Sequence, residues 1–167
     1  KCKFTEPTIV YVQTRKLCEK ICNDLKKKGI PSAYYHGGMS KEDKEESHEV
    51  FINGKVTVIV ATISFGMGID KSDIRHVVNY GVPANIESYY QEIGRAGRDG
   101  IDSKATIYYN DSDFNTTAYL ISLSPDEKQI KIKTAGMDIF RSYLRERNLC
   151  RQKMIDYYFD SGKFASE

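Results

Sequence analysis

The segment Val56-Thr57-Val58-Ile59-Val60-Ala61 decides the fold class of this chain. Its residues are apolar or β-branched throughout, which is typical of a central parallel strand that is covered on both faces. Similar short β-rich runs are found at Thr8–Val12 and Ile74–Tyr80. Longer stretches with helical periodicity separate these runs. The alternation predicts an α/β fold with a mostly parallel sheet.

The helices between the strands are recognised by their predicted caps. Thr14 is expected to cap the first helix, whose apolar residues recur at helical spacing: Leu17, Ile21 and Leu25. Ser40, with an acidic residue three positions later, resembles a capping box at the start of another helix. A further helix is predicted from Ile86 to about Gly97.

The pattern changes after Leu123. Ser124 as an N-cap and Pro125 at the first helical position predict a helix start. No strand is predicted beyond it. We therefore expect a domain at residues 1–123 and an appended helical part at residues 124–167.

Composition excludes some classes of protein. The hydrophobic fraction of 40% supports one sizeable core, and no run of 18 apolar residues is present to span a membrane. The net charge of +2 does not by itself indicate nucleic-acid binding. The four cysteines form neither a CxxC pair nor a secretory framework, which suggests a reducing compartment. No basic-then-apolar signal segment opens this sequence, and its abrupt start at Lys1 leads us to expect an excised fragment.

Ligands of such sheets bind beyond the carboxyl ends of the strands, so the segments that follow strands are the candidates. The segment Gln91–Gly100 carries two arginines and, if the helix continues, Gln91, Arg95 and Arg98 share one face. The planar, permanently charged fork of arginine suits a polyphosphate. The same residues are also explained as cations at a helix end, where the macrodipole favours them.

Two other segments combine glycines with polar residues. Ala61–Asp70 contains two glycines, two hydroxyls and an acid, so its backbone could hold phosphate oxygens and Asp70 a ribose. Tyr35–Ser40 is a glycine turn that leads into a helix N-terminus, where a DNA phosphate would fit. Taken alone, each segment is more simply explained as an ordinary turn.

Together the three segments resemble the C-terminal RecA-like lobe of the RecQ family of DNA helicases, with the Werner-type and bacterial RecQ branches nearest. Gln91–Gly100 is similar to helicase motif VI, Ala61–Arg75 to motif V and Tyr11–Arg15 to motif IV. The resemblance implies a RecA-like three-layer sandwich with a mostly parallel sheet. It also implies that residues 124–167 are the helical start of a truncated zinc-binding subdomain.

The resemblance assigns roles to individual residues. Arg98 would be the arginine finger for the γ-phosphate of ATP, with Arg95 as its companion. Gln91, Gly68 and Asp70 would bind the nucleotide. Five residues would lie along the single-strand DNA track: Thr14, Arg15, Gly37, Thr62 and Ser64.

The resemblance also implies cofactors and partners. ATP and Mg²⁺ would be bound mainly by a first RecA-like lobe of the same parent chain, because this sequence has no GxxxxGK[ST] loop and no DExH box. The lobe alone is expected to be inactive as an ATPase. Cys150 resembles the first ligand of a zinc site, but one thiolate cannot form such a site, so Zn²⁺ is expected only in the intact parent protein. The partners would be single-stranded DNA and duplex junctions, with no membrane, in a nucleus or in bacterial cytoplasm.

Two other classes of function remain open. The second lobe of a DEAD-box RNA helicase is one, although those lobes usually carry His at the position of Gln91 and lack the Asp99-Gly100 continuation. A non-catalytic nucleic-acid-binding module is the other, and the retained pair Arg95 and Arg98 argues against it. The family implies 3′-to-5′ polarity, which no residue here shows.

Overall fold

A parallel sheet organises the first part of the chain in the computed structural model, which describes residues 4–66 and 71–161. Its strands are β1 (Thr8–Val12), β2 (Ser32–Tyr35), β3 (Val58–Ala61), β4 (His76–Tyr80) and β5 (Lys104–Tyr108). The spatial order is β2-β3-β1-β4-β5, and every neighbouring pair is parallel. The predicted α/β class with a parallel sheet is therefore confirmed.

Six helices lie within the described residues. They are α1 (Arg15–Lys27), α2 (Lys41–Ile52), α3 (Ile86–Ile93), α4 (Asp111–Ser122), α5 (Glu127–Arg145) and α6 (Arg151–Ser161). The Thr14 hydroxyl accepts the Leu17 N–H at the start of α1, and Ser40 accepts the Asp43 N–H at the start of α2. Both predicted caps are confirmed. In this described part of the chain, no helix has the length and apolar character that crossing a bilayer requires.

Helices cover both faces of the sheet. On one face, the fully buried thiols Cys18 and Cys22 of α1 pack against alternate strand residues: Val10, Val12, Val58, Val60 and Val78. On the other face, Phe51 of α2 packs against the intervening positions: Ile9, Tyr11, Ile59, Ala61 and Val77. The period-2 alternation of side chains divides the apolar strands between two cores. The sheet and the helices on its two faces therefore form three layers.

The chain divides into two compact units. The sheet unit comprises Lys1–Val82 and Tyr90–Asn110, and the helical unit comprises Pro83–Tyr89 and Asp111–Glu167. In the helical unit, Tyr89, Phe140 and Tyr143 form an aromatic core with ring centroids 5.3 to 5.9 Å apart. The domain boundary predicted after residue 123, and the zinc-binding subdomain predicted beyond it, stay predictions.

The predicted end of α3 is wrong. The helix stops at Ile93 instead of near Gly97, and residues 94–100 form successive turns. Gly97 has a φ of 64°, which is outside the helical region, and its N–H donates to the Ile74 carbonyl at 2.9 Å. Gly94 and Gly97 lower the helix propensity of this segment. The hydrogen bond from Gly97 to Ile74 then replaces the bond that a continuing helix would make.

The predicted start of the last helical segment is also wrong. Helix α5 begins at Glu127 and is capped by Asp126, whose carboxylate accepts the Lys128 N–H at 2.9 Å. Ser124 and Pro125 lie before the helix. Aspartate is as good an N-cap as serine, and Asp126 lies directly beside the first free N–H groups.

Replacing Gly97 by alanine should destabilise the sheet unit more than the same change at Gly29. Both glycines have a positive φ, which costs an L-residue about 1–2 kcal/mol. A Cβ at Gly29 meets nothing within 4 Å, whereas one at Gly97 would lie 2.6 Å from Ser103 Oγ and 2.9 Å from the Ile101 carbonyl. This overpacking adds about 1–3 kcal/mol. Urea denaturation of the two variants measures the difference, and equal losses would contradict the packing argument.

Candidate functional site

The loops that follow β1, β2 and β3 meet at the carboxyl edge of the sheet. The Arg15 guanidinium lies against Gly38, where an added Cβ would stand 2.9 Å from Nη1. A Cβ at Gly37 would stand 3.9 Å from both Arg15 Nη2 and Ser64 Cβ. Thr62 Oγ1 and Ser64 Oγ are 2.9 Å apart in a hydrogen bond. We call Arg15, Gly37, Gly38, Thr62 and Ser64 the carboxyl-edge cluster.

Four of the five residues predicted for the DNA track therefore come together in this cluster. The fifth, Thr14, uses its hydroxyl oxygen to cap α1 at the same edge. The sequence reasoning missed Gly38, although the absence of a side chain there is what lets the guanidinium approach the backbone. Two consecutive glycines after a strand are the signal that could have identified it.

The glycine turn after β2 is held in place by a buried histidine. His36 Nδ1 accepts the Gly38 N–H at 3.2 Å, and His36 Nε2 lies 3.0 Å from a carboxylate oxygen of Glu19. With Nδ1 accepting, the ring proton belongs on Nε2, which donates to that carboxylate. The turn is thus fixed to α1 and presents Gly37 and Gly38 to Arg15 in a defined conformation.

A second arginine packs on a glycine in the segment after β3. The Arg95 guanidinium lies over Gly66, where an added Cβ would stand 2.9 Å from Nη2 and 3.5 Å from Cζ. Arg95 Nε is buried and has no hydrogen-bond partner among the described residues. A buried donor without an acceptor is costly, so the position suits an anionic group that arrives from outside.

The other residues predicted for the nucleotide site lie close in sequence but do not share a helix face. Gln91 is exposed in the last turn of α3, and Arg98 follows in the turns after the helix, with its Nε donating to the Gly94 carbonyl at 3.4 Å. The predicted common face is wrong because α3 ends at Ile93. Gly68 and Asp70 lie outside the described residues.

Arg75 stabilises the turn that carries Arg98. The Arg75 guanidinium forms an ion pair with Asp99, and this pair lowers the pKa of the Asp99 carboxyl. It also donates to the carbonyls of Asp73 and Ile101, each at 3.0 Å. One guanidinium therefore ties the segment before β4 to the segment that follows Arg98.

A buried polar cluster lies beside Arg95. The Asn79 amide of β4 donates to the Glu92 carboxylate of α3, and the two residues are only 2% and 8% exposed. Burial raises the pKa of Glu92 from 4.5 to about 7, while the Asn79 hydrogen bond and the Arg95 charge oppose the rise. The Tyr11 hydroxyl of β1 donates to the Phe65 carbonyl at 2.9 Å. Burial raises the pKa of Tyr11 and the charge of Glu92 adds to the rise, while Arg95 opposes it.

The sequence reasoning missed this cluster. Its signals are a polar residue within an otherwise buried strand, Asn79 after Val77 and Val78, and an acid three positions after the buried Tyr89 in α3. A buried carboxyl with a shifted pKa next to a cation marks a candidate functional site.

Cys150 lies at the start of α6 in the helical unit. Backbone N–H groups of Lys153 and Gln152 lower the pKa of its exposed thiol. Among the described residues, no group of three or more His, Cys, Asp or Glu side chains could hold a metal ion. The described residues alone therefore do not form a zinc site.

Comparison with known proteins identifies the family of this chain. Residues 1–100 match the family described as Helicase conserved C-terminal domain, and the chain belongs to this family. The fold is similar to that of the E. coli DEAD-box protein SrmB, solved in complex with the regulator of ribonuclease activity A. The TM-score is 0.61 with 28% identity, and the match covers 72% of each chain. The predicted RecA-like fold is confirmed.

The chain is also similar in sequence to several curated helicases. The chain is 46% identical over 127 residues to the ATP-dependent helicase wrn-1 of Caenorhabditis elegans, which covers 76% of this chain and 12% of wrn-1. It is 43% identical over 155 residues to the putative ATP-dependent RNA helicase R290 of Acanthamoeba polyphaga mimivirus, with coverage of 93% and 28%. It is 39% identical over 154 residues to the ATP-dependent DNA helicase RecQ of Bacillus subtilis, with coverage of 92% and 26%.

These matches confirm the resemblance to RecQ helicases. They extend over 76% to 93% of this chain. The chain spans only 12% to 28% of the length of these relatives.

Replacing Glu92 by glutamine should remove a pH-dependent loss of stability. Because the folded pKa is raised from 4.5 to about 7, the folded state holds the proton more tightly than the unfolded state. This tighter proton binding stabilises the folded state by up to about 3 kcal/mol below about pH 4.5. The stabilisation is lost as the pH rises through 7. The glutamine variant should therefore have the higher Tm at pH 8, and the gap should close towards pH 5. Parallel Tm profiles for the two proteins would contradict the assignment.

Proposed function

We propose that this chain is the C-terminal motor lobe of an ATP-dependent 3′–5′ DNA helicase, supplying the arginine finger and part of the single-strand DNA track. The observation that carries the proposal is the Arg95 guanidinium, which packs on Gly66 and has a buried Nε with no acceptor among the described residues. Arg98 follows in the turn that the ion pair of Arg75 and Asp99 holds in place. The names of the relatives from C. elegans and B. subtilis support ATP-dependent helicase activity.

In this proposal ATP lies between two RecA-like lobes, and this lobe supplies charges from one side. Arg98 approaches the γ-phosphate when the lobes close, with Arg95 as its companion. In other NTPases an arginine finger accelerates turnover by roughly 10³–10⁵. The assignments of Gln91, Gly68 and Asp70 to the nucleotide site belong to the same proposal and rest on the family resemblance.

The carboxyl-edge cluster supplies the proposed DNA track. Arg15 provides the positive charge beside Gly37 and Gly38, and Thr62 and Ser64 provide a hydrogen-bonded pair of hydroxyls. Gly37 and Gly38 keep the surface open to a phosphate. Contacts of this kind hold the backbone of a single strand without reading its sequence. We assign Thr14 to the track as well, at the capped start of α1.

The first lobe completes the proposed enzyme. It would hold the β-phosphate and Mg²⁺, since this sequence contains neither the phosphate loop nor the acidic box. This lobe alone is then inactive as an ATPase. A zinc site that includes Cys150 would need ligands from elsewhere in the parent protein, and we assign it no step. In a eukaryote the helicase would act in the nucleus, in DNA repair, recombination and replication, and in a bacterium in the cytoplasm.

Replacing Arg98 by alanine in the two-lobed helicase should abolish ATP turnover and preserve DNA binding, because the finger contacts only the nucleotide. The expected fall in kcat is roughly 10³-fold or more. A matched control is Arg145→Ala, which removes an exposed arginine paired with Asp111. Steady-state ATPase assays with saturating single-stranded DNA measure both variants. Turnover that survives in the Arg98 variant would show that the finger lies elsewhere.

Replacing Arg15 by glutamine should weaken binding of single-stranded DNA and make it less dependent on salt. Each phosphate contact that is lost reduces the slope of log K against log salt by about 0.7 for a single strand. Lys27→Gln, at the opposite end of α1, is the control and should leave the slope unchanged. Fluorescence anisotropy over a salt series gives the slopes. If both variants keep the wild-type slope, Arg15 contacts no phosphate.

A second candidate function is that of an RNA helicase lobe, and two observations support it. The SrmB structure is that of a DEAD-box protein, and the R290 relative is named a putative RNA helicase. Gln91 and the Asp99-Gly100 pair favour the DNA helicase. Unwinding of matched DNA and RNA duplexes decides between them. Retention of Arg95 and Arg98 argues against a non-catalytic nucleic-acid-binding module.

A further inference from the structure

We propose that His36 is a positioning residue for Arg15, and that its ring holds Gly38 in the place where the guanidinium packs on it. The proposal rests on the function proposed above, in which Arg15 contacts a phosphate of the DNA strand. It adds two residues, His36 and Glu19, to which the sequence motifs assign no role. The DNA track then depends on a buried side chain that itself contacts no DNA.

Two side chains of α1 contact the glycine turn after β2. Arg15 and Glu19 are four residues apart in this helix, so they lie on the same face. The Arg15 guanidinium packs on Gly38, where an added Cβ would stand 2.9 Å from Nη1. A carboxylate oxygen of Glu19 lies 3.0 Å from His36 Nε2. The position of the turn relative to α1 is therefore set at two points.

The His36 ring connects these two points. Its Nδ1 accepts the Gly38 N–H at 3.2 Å, while Nε2 donates to Glu19. The carboxylate thus accepts the single N–H of the neutral ring, and Nδ1 keeps the lone pair that the Gly38 N–H requires. A shift of the ring would move the Gly38 backbone relative to the guanidinium of Arg15.

The surroundings of His36 fix the ring in one orientation. The residue is only 5% exposed, and its ring stacks on that of Tyr34 with centroids 5.6 Å apart. The His36 N–H donates to the Met39 sulfur at 3.3 Å, and the His36 carbonyl accepts the Met39 N–H at 3.2 Å. Side chain and backbone are both held before any ligand arrives. A group positioned in this way loses little conformational entropy when it binds a phosphate.

The two ring bonds make different predictions for a structural and a positioning role. A histidine that only satisfies its own buried nitrogens depends on both bonds alike. A positioning residue depends chiefly on the bond to Gly38, because that bond sets the distance to Arg15. Asparagine and glutamine separate the two bonds. The asparagine amide oxygen can replace Nδ1 as the acceptor for Gly38, whereas the longer glutamine amide can replace Nε2 as the donor to Glu19.

The experiment uses the two-lobed helicase and fluorescein-labelled oligothymidylate as the single strand. Wild type, His36→Asn, His36→Gln, Arg15→Gln and the double variant of His36→Gln with Arg15→Gln are compared. Fluorescence anisotropy over a salt series gives Kd and its salt slope, and Tm is recorded for each protein. The control is His76→Gln, the same substitution at the amino end of β4, where the ring lies 2.9 Å from the Thr106 hydroxyl.

We expect His36→Gln to raise Kd about tenfold, which corresponds to one lost hydrogen bond to a charged group. Its slope of log K against log salt should fall by about 0.7, as in Arg15→Gln, because the same phosphate contact is lost. His36→Asn should bind nearly as wild type. Both His36 variants should lose Tm, since each removes one buried hydrogen bond, and His76→Gln should keep the wild-type Kd and slope. The double variant should bind no more weakly than Arg15→Gln, because His36 acts through Arg15.

Three results would overturn the proposal. Wild-type binding by His36→Gln, with Arg15→Gln weakened, removes the positioning role and leaves the DNA track intact. Equal weakening in the asparagine and glutamine variants, or a double variant weaker than Arg15→Gln, identifies a structural residue only. Wild-type Kd and slope in Arg15→Gln remove both the positioning role and the assignment of Arg15 to the DNA track.

Discussion

Packing of a guanidinium group on a glycine is the contact on which both candidate sites depend. At Arg15 with Gly38, and again at Arg95 with Gly66, a Cβ on the glycine would stand 2.9 Å from a guanidinium nitrogen. The charged plane can lie this close to the backbone only because the glycine has no side chain. Each arginine is thereby held close to the backbone of a neighbouring segment. A fixed cation that keeps its charge can bind a phosphate with little further loss of conformational entropy.

The secondary structure was predictable wherever the physical cause is local. The strands β1 and β3 follow from runs of β-branched residues, and the caps at Thr14 and Ser40 follow from side chains that reach N–H groups three residues away. The end of α3 was not predictable in this way. It depends on a hydrogen bond from Gly97 to Ile74, a residue of the preceding crossover that no helix periodicity reveals.

In the candidate site, too, features with a local cause were predictable from the sequence and features with a tertiary cause were not. The arginines and glycines of the motifs are visible in the sequence because their spacing is itself the signal. The buried pair of Asn79 and Glu92 and the ion pair of Arg75 are not visible in this way, because each joins segments that are distant in the chain. A buried amide bonded to a buried acid can be recognised only when β4 and α3 are brought together. Motif reading therefore identifies the candidate arginines and glycines and overlooks the tertiary contacts around them.

The order of the strands determines when the sheet can form during synthesis on the ribosome. Strand β1 is made first and occupies the centre, where Thr8 pairs with Val58 on one side and with His76 on the other. A nascent chain that has released β1 and α1 can already cover one face of the strand through Cys18 and Cys22. Its two edges stay open until β3 and β4 emerge, so α1 shields one face of this strand from other chains during that interval.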